Sequence, residues 1–143
     1  VVPGRLYLGS APSNNEQSLF LLQITHVLSL LDRPHLEMPV HPTIAHKLVR
    51  IADCQSSPLS HTPLAASIHC EAGVSRSATA VIAALMANVA GLADGLSTVN
   101  GSGLPYEDAL ALVRAQRPGV RPNDRFEACL RRAGWMRAWQ ARC

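Results

Sequence analysis

The chain has 143 residues, of which 48% are hydrophobic and 16% charged, with a formal net charge of +3. That length and balance suit one globular domain with its own core and exclude a disordered chain. No apolar run reaches the length of a membrane span and no signal-peptide layout opens the chain, so no membrane partner is expected; Val1 at the start is what an excised domain would show.

RLYLG (5–9) alternates apolar and polar residues and reads as a strand. SNNEQSLFLLQ (13–23) starts a helix, with Ser13 and Glu16 spaced as a capping box and Leu19 and Leu22 as its apolar stripe. THVLSLL (25–31) is a buried strand, and 32–45 is a loop rich in Pro and His. KLVRIA (47–52) is a strand, DCQSSPLSHTP (53–63) a loop, and LAASIH (64–69) a weaker strand. A helix runs from Ser77 to about Ala90, followed by a Gly-rich surface loop at 91–105. YEDALALVRAQR is a helix stopped by Pro118. The last helix begins near Asn123, with Phe126, Cys129, Leu130, Ala133 and Met136 on one face. Alternating strands and helices make an α/β fold over residues 1–143: a central, mostly parallel sheet of four to five strands flanked by helices.

The positive balance rests on arginine: twelve against one lysine, eight of them from Arg114 onward. Anionic partners fit that bias, and so does a solvated helix face. Cys54, Cys70, Cys129 and Cys143 contain no CxxC pair. This argues against structural zinc and against a disulfide framework, and the compartment reads as reducing, cytoplasmic or nuclear.

The informative stretch is IHCEAGVSRSATAVIAALM (68–86). A strand that turns through a short loop into a helix N-terminus presents free backbone N–H groups and the positive end of the helix dipole to an anion. Gly73 lets the loop curl, and the Arg76 fork can hold two oxygens of one phosphate. Cys70 at the entrance of that cradle changes its meaning. Surrounding donors favour thiolate over thiol, and a thiolate facing a bound phosphate is a nucleophile for phosphoryl transfer.

His69 through Ser77 resembles the HCxxGxxR[ST] loop of the cysteine-based protein phosphatases, and HCEAGVSRSAT…LM is most similar to their dual-specificity branch. The similarity extends to VVPGRLYLGS, to ITHVLSL and to YEDALALVRAQRPGVRPNDRFEACL, most of the chain. The resemblance implies that Cys70 attacks phosphorus to form a phosphocysteine. Arg76 and the loop amides of Glu71, Ala72, Gly73, Val74 and Ser75 would hold the phosphoryl oxygens. Ser77 would hydrogen-bond the thiolate and help it leave. His69 would orient the loop, a role compatible with a simply satisfied histidine at a strand end. Asn123 would brace the loop or serve as a plain helix N-cap. No metal or cofactor is implied.

The leaving oxygen needs a proton, which a carboxylic acid on a nearby loop supplies. Asp53, directly after a strand, is the first candidate and Asp32, after SLL, the second. Asp53 precedes Cys70 by only seventeen positions, and Pro58 and Pro63 interrupt a segment with no helical period. In the family a helix lies there, so the fold is expected to lack one helix before the catalytic strand. That would leave apolar sheet surface uncovered and put the acid's placement in question. The 91–105 loop is longer than the family's turn and reads as a docking element or a tolerated insertion. Cys54, beside Asp53, could pair with Cys70 as a redox shield or be a lone loop cysteine.

The expected function is a phosphatase acting on phosphotyrosine and phosphoserine/threonine in proteins, with phosphorylated proteins as partners. The alternatives are an impaired or non-catalytic phosphate-binding module, or an RNA 5′-phosphatase. Nucleic acid is disfavoured because no stacking aromatics lie near the loop. The resemblance also disfavours phosphoinositides, because related enzymes acting on them often carry lysines within the loop, where this chain has Glu71 and Val74.

Overall fold

A computed structural model describes residues 1–13, 15–32, 42–50, 66–94 and 103–140. The elements are β1 (Leu6–Ser10), α1 (Glu16–Leu21), β2 (His26–Leu31), β3 (Ala45–Arg50), β4 (Ala66–Cys70), α2 (Arg76–Met86), α3 (Tyr106–Gln116) and α4 (Asp124–Gln140). Short 3-10 turns follow β1 and α2. The class is the expected α/β, with four strands among the described residues, in the order β1-β4-β2-β3 and every pairing parallel. No helix of the described residues is long and apolar enough to cross a membrane.

Strand alternation sorts the sheet into two faces. Leu6, Leu8, Leu28, Leu30, Val49, Ile68 and Cys70 share one face and join the main core with residues of α2, α3 and α4. The other face carries Tyr7 and Val27, packed with Leu19 of α1 and with Ile24 and Ile44, and also the buried polar residues Ser29, Ser67 and His69. α2 is the central helix. Eight of its eleven residues are buried, and its alanines allow close approach of neighbouring elements.

Several boundaries differ from the sequence reading for identifiable reasons. α1 is capped by Asn15, whose Oδ1 accepts from Ser18 N at 2.9 Å, not by Ser13; Leu22 lies past the helix and is exposed. α2 stops at Met86 because Asn88 turns left-handed, its Oδ1 accepting from Ala93 N and its Nδ2 donating to Asp94. On α4 the buried face runs through Phe126 and Leu130, with Gly134 against Met86, while Cys129 and Ala133 are exposed. That i, i+4 spacing puts Phe126 and Leu130 on one face of α4, which packs on both α2 and α3.

β3 is described over Ala45–Arg50 and β4 over Ala66–Cys70, and residues 51–65 between them lie outside the described residues. Asp53, Cys54 and the segment expected to lack a helix fall there, as does much of the 91–105 loop.

Candidate active site

In open parallel sheets, ligands bind beyond the carboxyl ends of the strands. Cys70 closes β4, which lies between β1 and β2, and residues 71–75 carry the chain from it into α2. The loop's carbonyls are held away from its centre. The Glu71 carbonyl accepts from Ala11 N at 3.1 Å, and the Ala72 carbonyl from Arg117 Nη2 at 3.1 Å. The Val74 carbonyl accepts from Arg121 N at 3.0 Å, and the Ser75 carbonyl from both Thr79 N and Thr79 Oγ1 at 2.8 Å. With those oxygens engaged, the loop is free to present N–H groups, the arrangement of an anion nest.

Gly73 is required at the bend. Its φ is +70°, and a Cβ there would stand 2.6 Å from the Gly9 carbonyl oxygen and 2.9 Å from Arg117 Nη2. Gly73→Ala is therefore expected to cost about 1–3 kcal/mol in denaturant unfolding and to weaken binding of tungstate or phosphate. Unchanged stability and oxyanion affinity would show that the bend tolerates a side chain.

Cys70 is buried, with Sγ 3.3 Å from Gly73 N and 3.1 Å from Ser77 Oγ, close enough for that hydroxyl to donate to a thiolate. Burial pushes the thiol up. Hydrogen bonds from the Ser77 side chain and from the backbone of Ser77, Gly73 and Val74 outweigh it, and the net pKa is lowered from the ordinary value. Ser75 stands at the N-cap of α2 but makes no capping hydrogen bond; its hydroxyl accepts from Asn123 N at 3.2 Å. The first-turn amides of α2 thus face the cradle without a side-chain cap.

Arg76, the first residue of α2, has an 11% exposed side chain whose Nη1 lies 3.2 Å from Asp32 Oδ1 and whose Nη2 lies 3.7 Å from Glu71 Oε2. Asp32, the second acid candidate, thus sits at the carboxyl end of β2 beside the arginine, its carboxylate engaged with the guanidinium. Asn123 combines both roles weighed for it. Its Oδ1 caps α4 by accepting from Phe126 N at 2.9 Å, and its backbone N–H braces the loop through Ser75. His69 is fully buried, its Nε2 2.6 Å from Ser29 Oγ. Burial lowers its pKa, the Cys70 backbone opposes that, and His46 lowers it further, so the net shift is below the ordinary histidine value.

The structure therefore gathers Cys70, Arg76, Ser77, Asn123, His69 and the residues 71–75 in one place. Sequence reasoning did not single out Arg117, Ser29 or His46. Arg117 carried a usable signal, since a residue before a proline must leave the helix, here at the end of α3. Chemically, the site offers a donor-stabilised sulfur at the base of a ring of amides with a bidentate cation at its rim. That is suited to an in-line attack on a tetrahedral oxyanion.

No family model matches the chain. Dual specificity protein phosphatase 22 of Mus musculus is 34% identical over 144 residues, covering 89% of this chain and 68% of that protein. Dual specificity protein phosphatase 15 of Mus musculus is 29% identical over 157 residues, covering 99% of this chain; the chain spans 60% of that relative's length. Among solved structures, human DUSP28 superposes with a TM-score of 0.70 at 23% identity, covering 96% of this chain and 95% of that one, which shows the shared fold. With one third of its residues identical to phosphatase 22 across most of its own length, this chain belongs to the dual specificity protein phosphatases.

Proposed function

We propose that the domain hydrolyses phosphomonoesters on protein side chains, phosphotyrosine and phosphoserine/threonine, with phosphorylated proteins as its substrates and no metal. The observation that supports this reading is a thiol shifted toward thiolate by backbone amides of the 71–75 loop, with Arg76 opening α2 at the end of that same loop. The Cys70 sulfur donates an electron pair to phosphorus, and the bond from phosphorus to the ester oxygen breaks. The departing oxygen takes a proton from a carboxylic acid, for which Asp53 is the candidate. Water then attacks the phosphocysteine, and inorganic phosphate leaves as the thiolate is restored with a hydrogen bond from Ser77. Arg76 and the loop amides hold the three non-bridging oxygens in both steps.

The test compares leaving groups. An activated aryl phosphate leaves with little help from an acid, whereas the oxygen of phosphoserine requires a proton. Parent protein is expected to turn over both classes in the presence of a chelator. Asp53→Asn is expected to slow phosphoserine peptide hydrolysis by about 10²–10⁴-fold, with a much smaller effect on the aryl phosphate. No turnover of either by the parent, with tungstate still bound, would overturn the proposal in favour of a phosphate-binding module.

A further inference from the structure

On the sheet face opposite the Cys70 side chain lies a hydrogen-bonded chain that the proposed reaction does not use. Ser29 Oγ on β2 is 2.6 Å from His69 Nε2 on β4 and 2.6 Å from His46 Nε2 on β3. The register places these residues on three adjacent strands: Ser29 is paired with His69, and His46 with Val27, two positions from Ser29. His69 is fully buried, whereas His46 is half-buried on the edge strand. The chain thus runs from the sheet's edge to the residue directly before the nucleophile.

Counting protons constrains this arrangement. One hydroxyl has one proton, so Ser29 can donate to only one of the two nitrogens and must accept from the other. While both rings are neutral, one histidine carries its proton on Nε2 and the other on Nδ1. His69 Nδ1 is buried and has no partner within hydrogen-bonding geometry among the described residues; burial lowers the ring's pKa overall, and the neighbouring Cys70 backbone is the group that opposes it, as an acceptor toward the ring. Nε2 is already engaged with Ser29, so Nδ1 is the nitrogen left to face the Cys70 backbone, and a proton there matches the arrangement in which Ser29 donates to Nε2. Neighbouring strand residues point to opposite faces, so the His69 ring does not share a face with the sulfur, and its influence reaches Cys70 through the peptide between them.

We propose that Ser29 and His46 are positioning residues, which orient the ring of His69 and fix its proton on Nδ1 through the sequence His46 Nε2–H to Ser29 Oγ–H to His69 Nε2, and so keep the Cys70 thiolate favoured. This deepens the phosphatase reading and rests on Cys70 being its nucleophile. Protonation of His46 reinforces the same direction, because an imidazolium can only donate to Ser29. Among the described residues, the charged or titratable groups on this face besides the two histidines are Arg50 on β3 and Tyr7 on β1; Glu16 is the charged residue of α1, which packs there through Leu19.

The direct test is the tautomer itself, read from imidazole nitrogen shifts of the parent protein. His69 is expected to carry its proton on Nδ1, and a proton on Nε2 would overturn the proposal. The second test is the pH profile of Cys70 alkylation by iodoacetamide, followed by mass spectrometry of the Cys70 peptide so that other cysteines do not contribute. Ser29→Ala is expected to slow alkylation about tenfold at pH values below the parent midpoint, the worth of one hydrogen bond, and Ser29→Thr to restore it. If Ser29→Ala does not fold, His46→Leu at the edge strand is expected to shift the profile in the same direction. A folded variant with the parent's alkylation profile would overturn the assignment. Neither readout uses turnover, so inactivity toward phosphoesters would sink the phosphatase reading without deciding this one.

Discussion

Cys70→Ser is expected to reduce phosphate release to background, a fall of at least roughly three orders of magnitude, while tungstate or phosphate binding survives. The reasoning is local. A serine hydroxyl in the same position is a far weaker acid than the thiol, and the donors around it are neutral dipoles rather than a base able to remove its proton. The Ser77 hydroxyl and the Gly73 amide, at 3.1 and 3.3 Å from the sulfur, lower the pKa of a thiol but cannot ionise an alcohol. The cradle carbonyls remain tied to Ala11, Arg117, Arg121 and Thr79, so the amides keep their direction and the oxyanion still binds. Phosphate release within about tenfold of the parent would remove Cys70 from the nucleophile's role.

Arg76→Lys is expected to lower kcat by about 10²–10³-fold or more, the range for loss of one preorganised oxyanion donor, with a smaller change in KM. The guanidinium is only 11% exposed, and its two outer nitrogens are directed by Asp32 and Glu71. A planar fork held this way can meet two equatorial oxygens at once as charge develops on them. An ammonium can meet one and must be drawn away from the same two carboxylates to do so. A lysine variant with parental kcat would mean that the loop amides alone stabilise the transferring phosphoryl group.

The architecture and the surroundings of Cys70 were legible because their signals are short-range. A parallel strand reads as a short apolar run, a loop that turns through Gly73 needs a left-handed φ, and Cys70, Arg76 and Ser77 fall within eight consecutive residues. Cap identity was less legible: Ser13 and Asn15 are equally good capping residues on paper, and only the path out of β1 decides between them. The exposed side of α4 was misjudged for a related reason. Period alone allows a wide apolar stripe, whereas packing against α2 and α3 buries only the narrower face with Phe126 and Leu130 and leaves Cys129 exposed.

What the amino-acid order determined by itself was the loop proposed as a phosphate cradle, since backbone amides, a glycine bend and a helix start are consequences of adjacent residues. What only the tertiary structure decided was everything brought in from afar. Asp32 comes to Arg76, Arg117 to Ala72, Asn123 to Ser75, and Ser29 with His46 to His69. Each of these contacts joins separate elements, and their pairing depends on strand order and register. The sequence β1-β4-β2-β3 sets β2 beside β4 and so puts Ser29 against His69, a neighbour relation that no local pattern encodes.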